Sequence, residues 1–498
     1  MSLQKLSTEL DGQIASSLLG DTKALSAFSK TNKYYRGIAE PYLFKNIEVA
    51  ANDVETSLRL LFTLLDRKEL ALYIGSLTYT QPVRRQEVTN RSLKQEKLRS
   101  DVWKYKTAIQ DRMDEVLFPV SGLPHILSTK LRWCSEIMTS PLGGTSSNES
   151  AMALILCHAQ NIRYLEFQRR PLPYRISAVL GLEWRENEGP FQSLWHLNMN
   201  GAVPYGDTVM VLPALRTLEI RVRSFRPFST ASMFEYPSVM PKQPVLRRIQ
   251  LTGANNITPA AVQKMVNNPA MSNLRELVVV GCGKGRRWQP DGIQEDGLVE
   301  LLRSLEKHTP LLELLQWSNQ ESNRPEGHPQ FDTFKDIKHL RKLHVDFGLL
   351  VPHKDTKLKC LSDPHAVFPA HLEHLTLDCF NTDKLHKLVS TFNETVEKAE
   401  DMSETEALQA NLTILVALFS PLRHLSLIVP METRNESMNT VTLHELDPVD
   451  IVFFRYAADE LHKLGVTLEV FSRKGGYEKE KKLLVKKGWT ASLPQYLE

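Results

Sequence analysis

One hydrophobic pattern, apolar-x-x-apolar-x-apolar, recurs ten times along the chain. The copies are "IGSLTY" (74–79), "IRYLEF" (162–167), "LWHLNM" (194–199), "LRTLEI" (215–220), "LRRIQL" (246–251), "LRELVV" (274–279), "LELLQW" (312–317), "LRKLHV" (340–345), "LEHLTL" (372–377) and "LRHLSL" (422–427). The alternation that closes each copy predicts a short strand, with apolar side chains on one side and the intervening residues on the other. From the second copy onward the starts lie 32, 21, 31, 28, 38, 28, 32 and 50 residues apart. Regular strand repeats run at about 20–29 residues, so many copies carry a longer return segment.

Three returns read as helices: "TPAAVQKMVNN" (258–268), "DGLVELLRSLEKH" (296–308) and "ALQANLTILVALF" (407–419). The first has Pro259 in its opening turn and Val262, Met265 and Val266 on one face. Stretches 319–332 and 429–441 read as loops, as does the small, polar "PLGGTSSNES" (141–150). Between the first two copies, residues 80–161 are too many for one return. Val102, Ile109, Met113 and Val116 there share a helical stripe, which predicts one or two helices and leaves room for a degenerate repeat. Val466–Val470 reads as a final strand, followed by a glycine break and a lysine-rich helix whose glutamates mark a solvated face.

Stacked in parallel, such copies bury a continuous core, which is the physics of a leucine-rich repeat. The expected fold class is α/β: an N-terminal three-helix unit followed by an irregular leucine-rich-repeat solenoid, strands on the concave face and helices and loops outside. The expected divisions are a helical module at 1–48, a first repeat with its insert at 49–161, the solenoid at 162–471 and a cap helix at 472–498.

The chain begins differently. Leu6, Leu10, Ile14 and Leu18 follow one another at four-residue spacing, and Ser7 or Thr8 can cap the helix they imply. Asp21 can cap a second helix carrying Ala24, Leu25 and Phe28; a third segment holds Tyr34, Tyr35, Ile38 and Ala39. Pro41 opens an exit turn into the extended "KNIEV". Three helices this short bury too little surface to stand alone, so they lean either on the rest of the chain or on a partner.

Composition narrows the setting. Of 498 residues, 42% are hydrophobic and 24% charged, as in an ordered globular chain. Sixty-one basic against 58 acidic residues leave +3, which gives no electrostatic case for nucleic acid. No apolar run approaches the ~20 residues that span a bilayer, so no membrane association is expected. Five scattered cysteines fit a reducing compartment, cytoplasmic or nuclear.

No catalytic motif emerges. "GCGKGRRW" (281–288) misses both the dinucleotide and P-loop spacings, and G-x-S-x-G, H-E-x-x-H and paired C-x-x-C are absent. The chain is expected to be a binding protein, not an enzyme, with no cofactor and no metal. The residues that flank the second core position of each strand are the candidate recognition set. They are Tyr164 and Glu166, His196 and Asn198, Thr217 and Glu219, Arg248 and Gln250, Lys342 and His344, His374 and Thr376, His424 and Ser426. His374 and His424 would stand one strand spacing apart, ~4.8 Å, and with His371 nearby they raise a metal pair as the lesser alternative to exposed recognition residues. Arg248 as a fork and Lys342 as a point charge suit a carboxylate or phosphate.

The first 49 residues resemble an F-box, the helical module that docks on the Skp-type adaptor of cullin–RING ubiquitin ligases. The likeness lies in Leu6, Glu9, Leu10, Ile14, Leu18 and the run "ALSAFSKTNKYYRGIAEPYLF", over about a tenth of the chain. Ser7 departs from it, because the family usually has proline after the first leucine. The resemblance implies adaptor contact through Leu6, Glu9, Leu10, Ile14, Leu18, Leu25 and Phe28. It implies a substrate-recognition subunit of an SCF-type ligase, linked to cullin through the adaptor and holding an unidentified protein on its repeats. The alternative is a leucine-rich-repeat scaffold that never meets a ligase.

Overall fold

The computed structural model describes residues 7–51, 53–80, 96, 100–117, 135–138, 145–168, 179, 191–200, 209, 212–221, 245–252, 259–280, 297–318, 333–346, 368–378, 422–430, 432–435, 440–443, 455, 458–459, 461–463, 465–473 and 481–485. It divides into two compact units, Met1–Arg221 with Ser229–Leu246, and Val222–Phe228 with Arg247–Glu498. The division falls inside the stretch 162–471 that the repeat spacing reads as one solenoid.

The first unit opens with three helices, α1 (Thr8–Ser17), α2 (Thr22–Thr31) and α3 (Lys33–Leu43). Each starts at a side-chain cap, so orphan amides at each N-terminus find an acceptor. Ser7 Oγ accepts from Leu10 N, Asp21 from the amides of Lys23 and Ala24, and Asn32 from Tyr35 N. Pro41 lies inside α3 instead of starting an exit turn, and the helix continues to Leu43 before the chain extends. So close to the C-terminal end, the missing N–H interrupts only the last turn.

Strands β1 (Asn46–Ala50), β2 (Ser76–Thr80), β3 (Tyr164–Phe167), β4 (His196–Asn200) and β5 (Thr217–Arg221) then pair in chain order, all parallel. Because β2 pairs directly with β3, no further repeat strand lies between them. The intervening residues instead supply helices α5 (Lys106–Leu117) and α6 (Thr145–His158), while α4 (Val54–Asp66) bridges β1 and β2. Val102, Ile109 and Met113 are fully buried, as their spacing predicts.

Residues 145–150 correct the sequence reading: they are the opening turns of α6 and not a loop, and Ser147 to Ser150 are buried. Asn148 explains how polar residues can occupy the interior. Its Nδ2 donates to Ala51 O at 2.8 Å and to Tyr79 Oη at 3.2 Å, and its Oδ1 accepts from Ser57 Oγ. Ser150 Oγ donates to Glu136 at 2.6 Å. Hydrogen bonds offset the desolvation that composition alone would count against burial.

In the second unit β6 (Arg248–Thr252), β7 (Glu276–Val280), β8 (Leu314–Ser318), β9 (Lys342–Asp346), β10 (His374–Asp378) and β11 (His424–Pro430) form another parallel series. Helices α7 (Pro259–Val266) and α8 (Gly297–His308) fill the first two returns. They bury Val262, Met265 and Val266, and Leu298, Leu301, Leu302 and Leu305. The expected helix at 407–419 lies outside the described residues, as do the loop at 319–332 and the "GCGKGRRW" stretch.

Two expectations near the C-terminus fail. Within 429–441, β11 runs on to Pro430, and β12 (Glu432–Asn435) pairs antiparallel with β13 (Thr440–Leu443). The expected cap helix is replaced at 481–485 by a strand, β15 (Lys481–Val485), antiparallel to the last repeat strand β14 (Thr467–Arg473). Gly475 and Gly476 separate the two strands, and the backbone groups of β14 give "KKLLV" partners that outweigh its helical spacing.

The ten sequence copies coincide with β2 to β11, and the register is constant. Leu165, Leu197 and Leu218 are partners across the first unit; Ile249, Leu277, Leu315, Leu343, Leu375, Leu425 and Leu468 are partners across the second. Apart from the half-buried Leu425, every one of these core positions is buried.

Candidate functional site

The N-terminal helices expose apolar surface. In α1 the buried positions are Asp11 and Ala15, leaving Leu10 46% exposed and Ile14 and Leu18 half-buried. Tyr34 and Leu19 are also exposed, at 46% and 37%. Tyr34 Oη donates to the buried Asp11 carboxylate at 3.0 Å, which ties α3 to α1. Beneath it the Tyr35 ring packs on Phe28 with centroids 4.7 Å apart, and burial together with Asp11 pushes the Tyr35 hydroxyl up from its ordinary range.

The expected adaptor set therefore divides. Glu9 and Leu10 face solvent, Ile14, Leu18 and Phe28 are half-covered, and Leu25 is only 1% exposed. Leu25 holds α2 within the module and presents no surface of its own, which corrects its inclusion among contact residues. Leu6 lies outside the described residues. Leu19 at the edge of the stripe and Tyr34 in the third segment extend the exposed surface beyond the named contact residues.

On the strands, the flanking residues fall into in-register rows. In the first unit Tyr164, His196 and Thr217 are partners, and Glu166, Asn198 and Glu219 form the next row. Tyr164 stacks on His196 with ring centroids 4.7 Å apart and 20° between planes. Tyr164 Oη donates to Glu166 at 2.9 Å; burial, that bond and the charges of Glu166 and Glu219 push the phenol up to about 12. Asn198 is buried. Trp195, 44% exposed, meets His196 edge-on at 5.6 Å. Sequence reasoning missed this tryptophan, although it stands where other copies carry Arg or Glu after the first leucine.

In the second unit Arg248 is already engaged. Its terminal nitrogens donate to Glu276 at 2.8 Å and Gln250 at 2.9 Å, so the expected fork for phosphate is occupied by neighbours. Lys342, His374 and His424 form one row, and His344, Thr376 and Ser426 the next. The His374 and His424 rings stand 5.4 Å apart. His424 Nε2 lies 3.0 Å from Glu469, and His344 Nε2 lies 3.7 Å from the buried Asp378. Burial, His424 and Lys342 together hold the His374 imidazole below its ordinary range. Among the described residues no His, Cys, Asp and Glu cluster could hold a metal, so the His374–His424–His371 alternative finds no support. His371 is exposed outside the strand. Among the described residues no helix is long and apolar enough to cross a membrane.

Comparison with known proteins yields no family model that matches the chain and no significant match among curated proteins.

Proposed function

We propose that the chain is the substrate-recognition subunit of an SCF-type ubiquitin ligase, its N-terminal helices docking on a Skp-type adaptor and its strand faces holding a protein target. The supporting observation is solvent-facing apolar surface on a small capped helical module, at Leu10, Leu19 and Tyr34, joined to a series of parallel repeat strands. Such a protein makes and breaks no bonds. It raises the effective concentration of a target lysine near the ligase's charged ubiquitin.

The test is co-purification with adaptor and cullin. Wild type should bind at micromolar concentration, and Leu10→Asp, alone or with Ile14→Asp, should abolish binding while the strands stay folded by circular dichroism. Absence of wild-type binding would refute the ligase reading. Ser7 favours the second reading, a scaffold without a ligase: it stands where the resembled family has proline, and it serves as the α1 cap, accepting from Leu10 N at 3.4 Å.

A further inference from the structure

One face of the first unit's strands carries an acidic row, exposed at Glu48 and half-buried at Glu166 and Glu219. Glu48 pairs in register with Thr78, Thr78 with Glu166, Glu166 with Asn198 and Asn198 with Glu219. Parallel strands lie ~4.8 Å apart, so the three carboxylates repeat every two strands, at ~10 Å. Glu166 accepts from the neutral groups of Tyr164 and Gln168, and Glu48 and Glu219 have no ion pair among the described residues. Beside this row lies the Tyr164–His196 stack, with Trp195 at its edge.

Carboxylates beside a partly exposed aromatic ring are the surroundings that a guanidinium or ammonium group prefers. The carboxylates attract the charge, and the ring quadrupoles hold it with little desolvation. From this juxtaposition we infer that the first unit binds a basic, extended segment of the target protein, crossing the strands with cationic side chains on Glu48, Glu166 and Glu219 and one of them resting on Trp195 or Tyr164. The inference rests on the recognition role proposed above and names the target's chemistry. Arg163 and Arg216 stand before β3 and β5, and Arg221 ends β5. They border the acidic row at the ends of its strands. The spacing adds a constraint. A polyproline-type chain advances ~3.1 Å per residue with three residues per turn, so cations at every third position fall on one side at the carboxylate repeat.

The test is fluorescence anisotropy of the full chain with a labelled peptide of repeating Arg-Ser-Ser units. An Asp-Ser-Ser repeat and an isomer with its arginines contiguous serve as comparisons. The arginine repeat should bind, more tightly than its clustered isomer, and weaken with salt. The variant combining Glu48→Gln, Glu166→Gln and Glu219→Gln should weaken it at least about tenfold, the sum of three partly exposed ion pairs. The exposed Trp195→Ala should weaken it with an unchanged melting temperature, which separates recognition from folding. Equal binding by the acidic repeat, or undiminished binding by the triple variant, would overturn the inference, and equal binding by the clustered isomer would overturn the spacing. Adaptor co-purification on the same preparation separates the two readings. Adaptor binding without peptide binding refutes this inference alone, and peptide binding without adaptor refutes the ligase alone.

Discussion

The strands and helix α1 carry equally regular apolar patterns and dispose of them in opposite ways. In the strands the patterned residues are interior, with Leu165, Leu197, Leu277 and Leu315 all at 0% exposure. In α1 Leu10 faces outward and Ile14 and Leu18 are only half-covered, while the interior positions belong to Ala15 and to Asp11, whose carboxylate accepts from Tyr34. Periodicity identifies an apolar face; only its neighbours determine whether that face is covered. A covered face stabilises the fold, and an uncovered one is available to a partner.

That contrast can be broken most sharply at the core. Leu277→Ala or Leu375→Ala should destabilise the chain by about 2–5 kcal/mol through lost burial and the cavity left behind, measured by urea denaturation. A loss no larger than that of Leu10→Ala would mean that the strand register is shifted by one.

A second expected effect is acid sensitivity from a buried polar site. His158 is 4% exposed; burial, with Arg112 beside it, lowers its pKa to about 3, and Arg112 Nε donates to its Nδ1 at 2.8 Å. The unfolded chain takes up a proton near 6.5 while the folded chain does not until near 3, so this contribution is complete above 6.5 and is lost as pH falls through that window. His158→Gln should flatten the decline in urea midpoint between these pH values; an unchanged slope would assign the acid sensitivity elsewhere.

His374 should act in the same direction and more weakly, because its imidazole is only partly covered and faces His424, Lys342, Glu373 and Arg423. Its pKa is depressed, so it favours the folded state above the ordinary histidine range and ceases to do so as pH falls below it. The urea midpoint of His374→Asn, measured across pH 5 to 7 at ~0.15 M salt, should fall slightly less steeply than that of wild type.

The smallest effects belong to positions outside the core, exposed at Leu10 and half-buried at Glu276 and Thr376. Glu276→Ala, Thr376→Ala and Leu10→Ala should each change stability by no more than about 0.5 kcal/mol. Glu276 tests this hardest because it also loses the ion pair to Arg248. A loss near that of the core leucines would show that the pair is structural.

The parallel strands among the described residues were legible because each rests on a local alternation that tertiary contacts do not reverse. The polar start of α6 was not, because Asn148 is satisfied by Ala51, Tyr79 and Ser57, partners far away in sequence. Nor was β15, whose lysine-rich spacing suits a helix until β14 offers a pairing edge. At the candidate sites the pattern gave the residues that alternate with the core leucines but not their burial or commitments: Asn198 and Ser426 are buried. Arg248 is held by Glu276, and Leu25 is sealed within the module, two facts that only packing reveals.

The antiparallel return of β15 bears on how the chain behaves in a crowded solution. Without it β14, seven residues from Thr467 to Arg473, would present a row of unpaired amides and carbonyls able to template a strand from another copy. With it that edge is taken up by β15, a shorter strand whose sequence opens on Lys481 and Lys482. A strand already paired along its edge no longer offers that edge as a template. The last strand thus acts against self-association, and a chain ending at residue 474 should sediment as oligomers where the full chain stays dispersed.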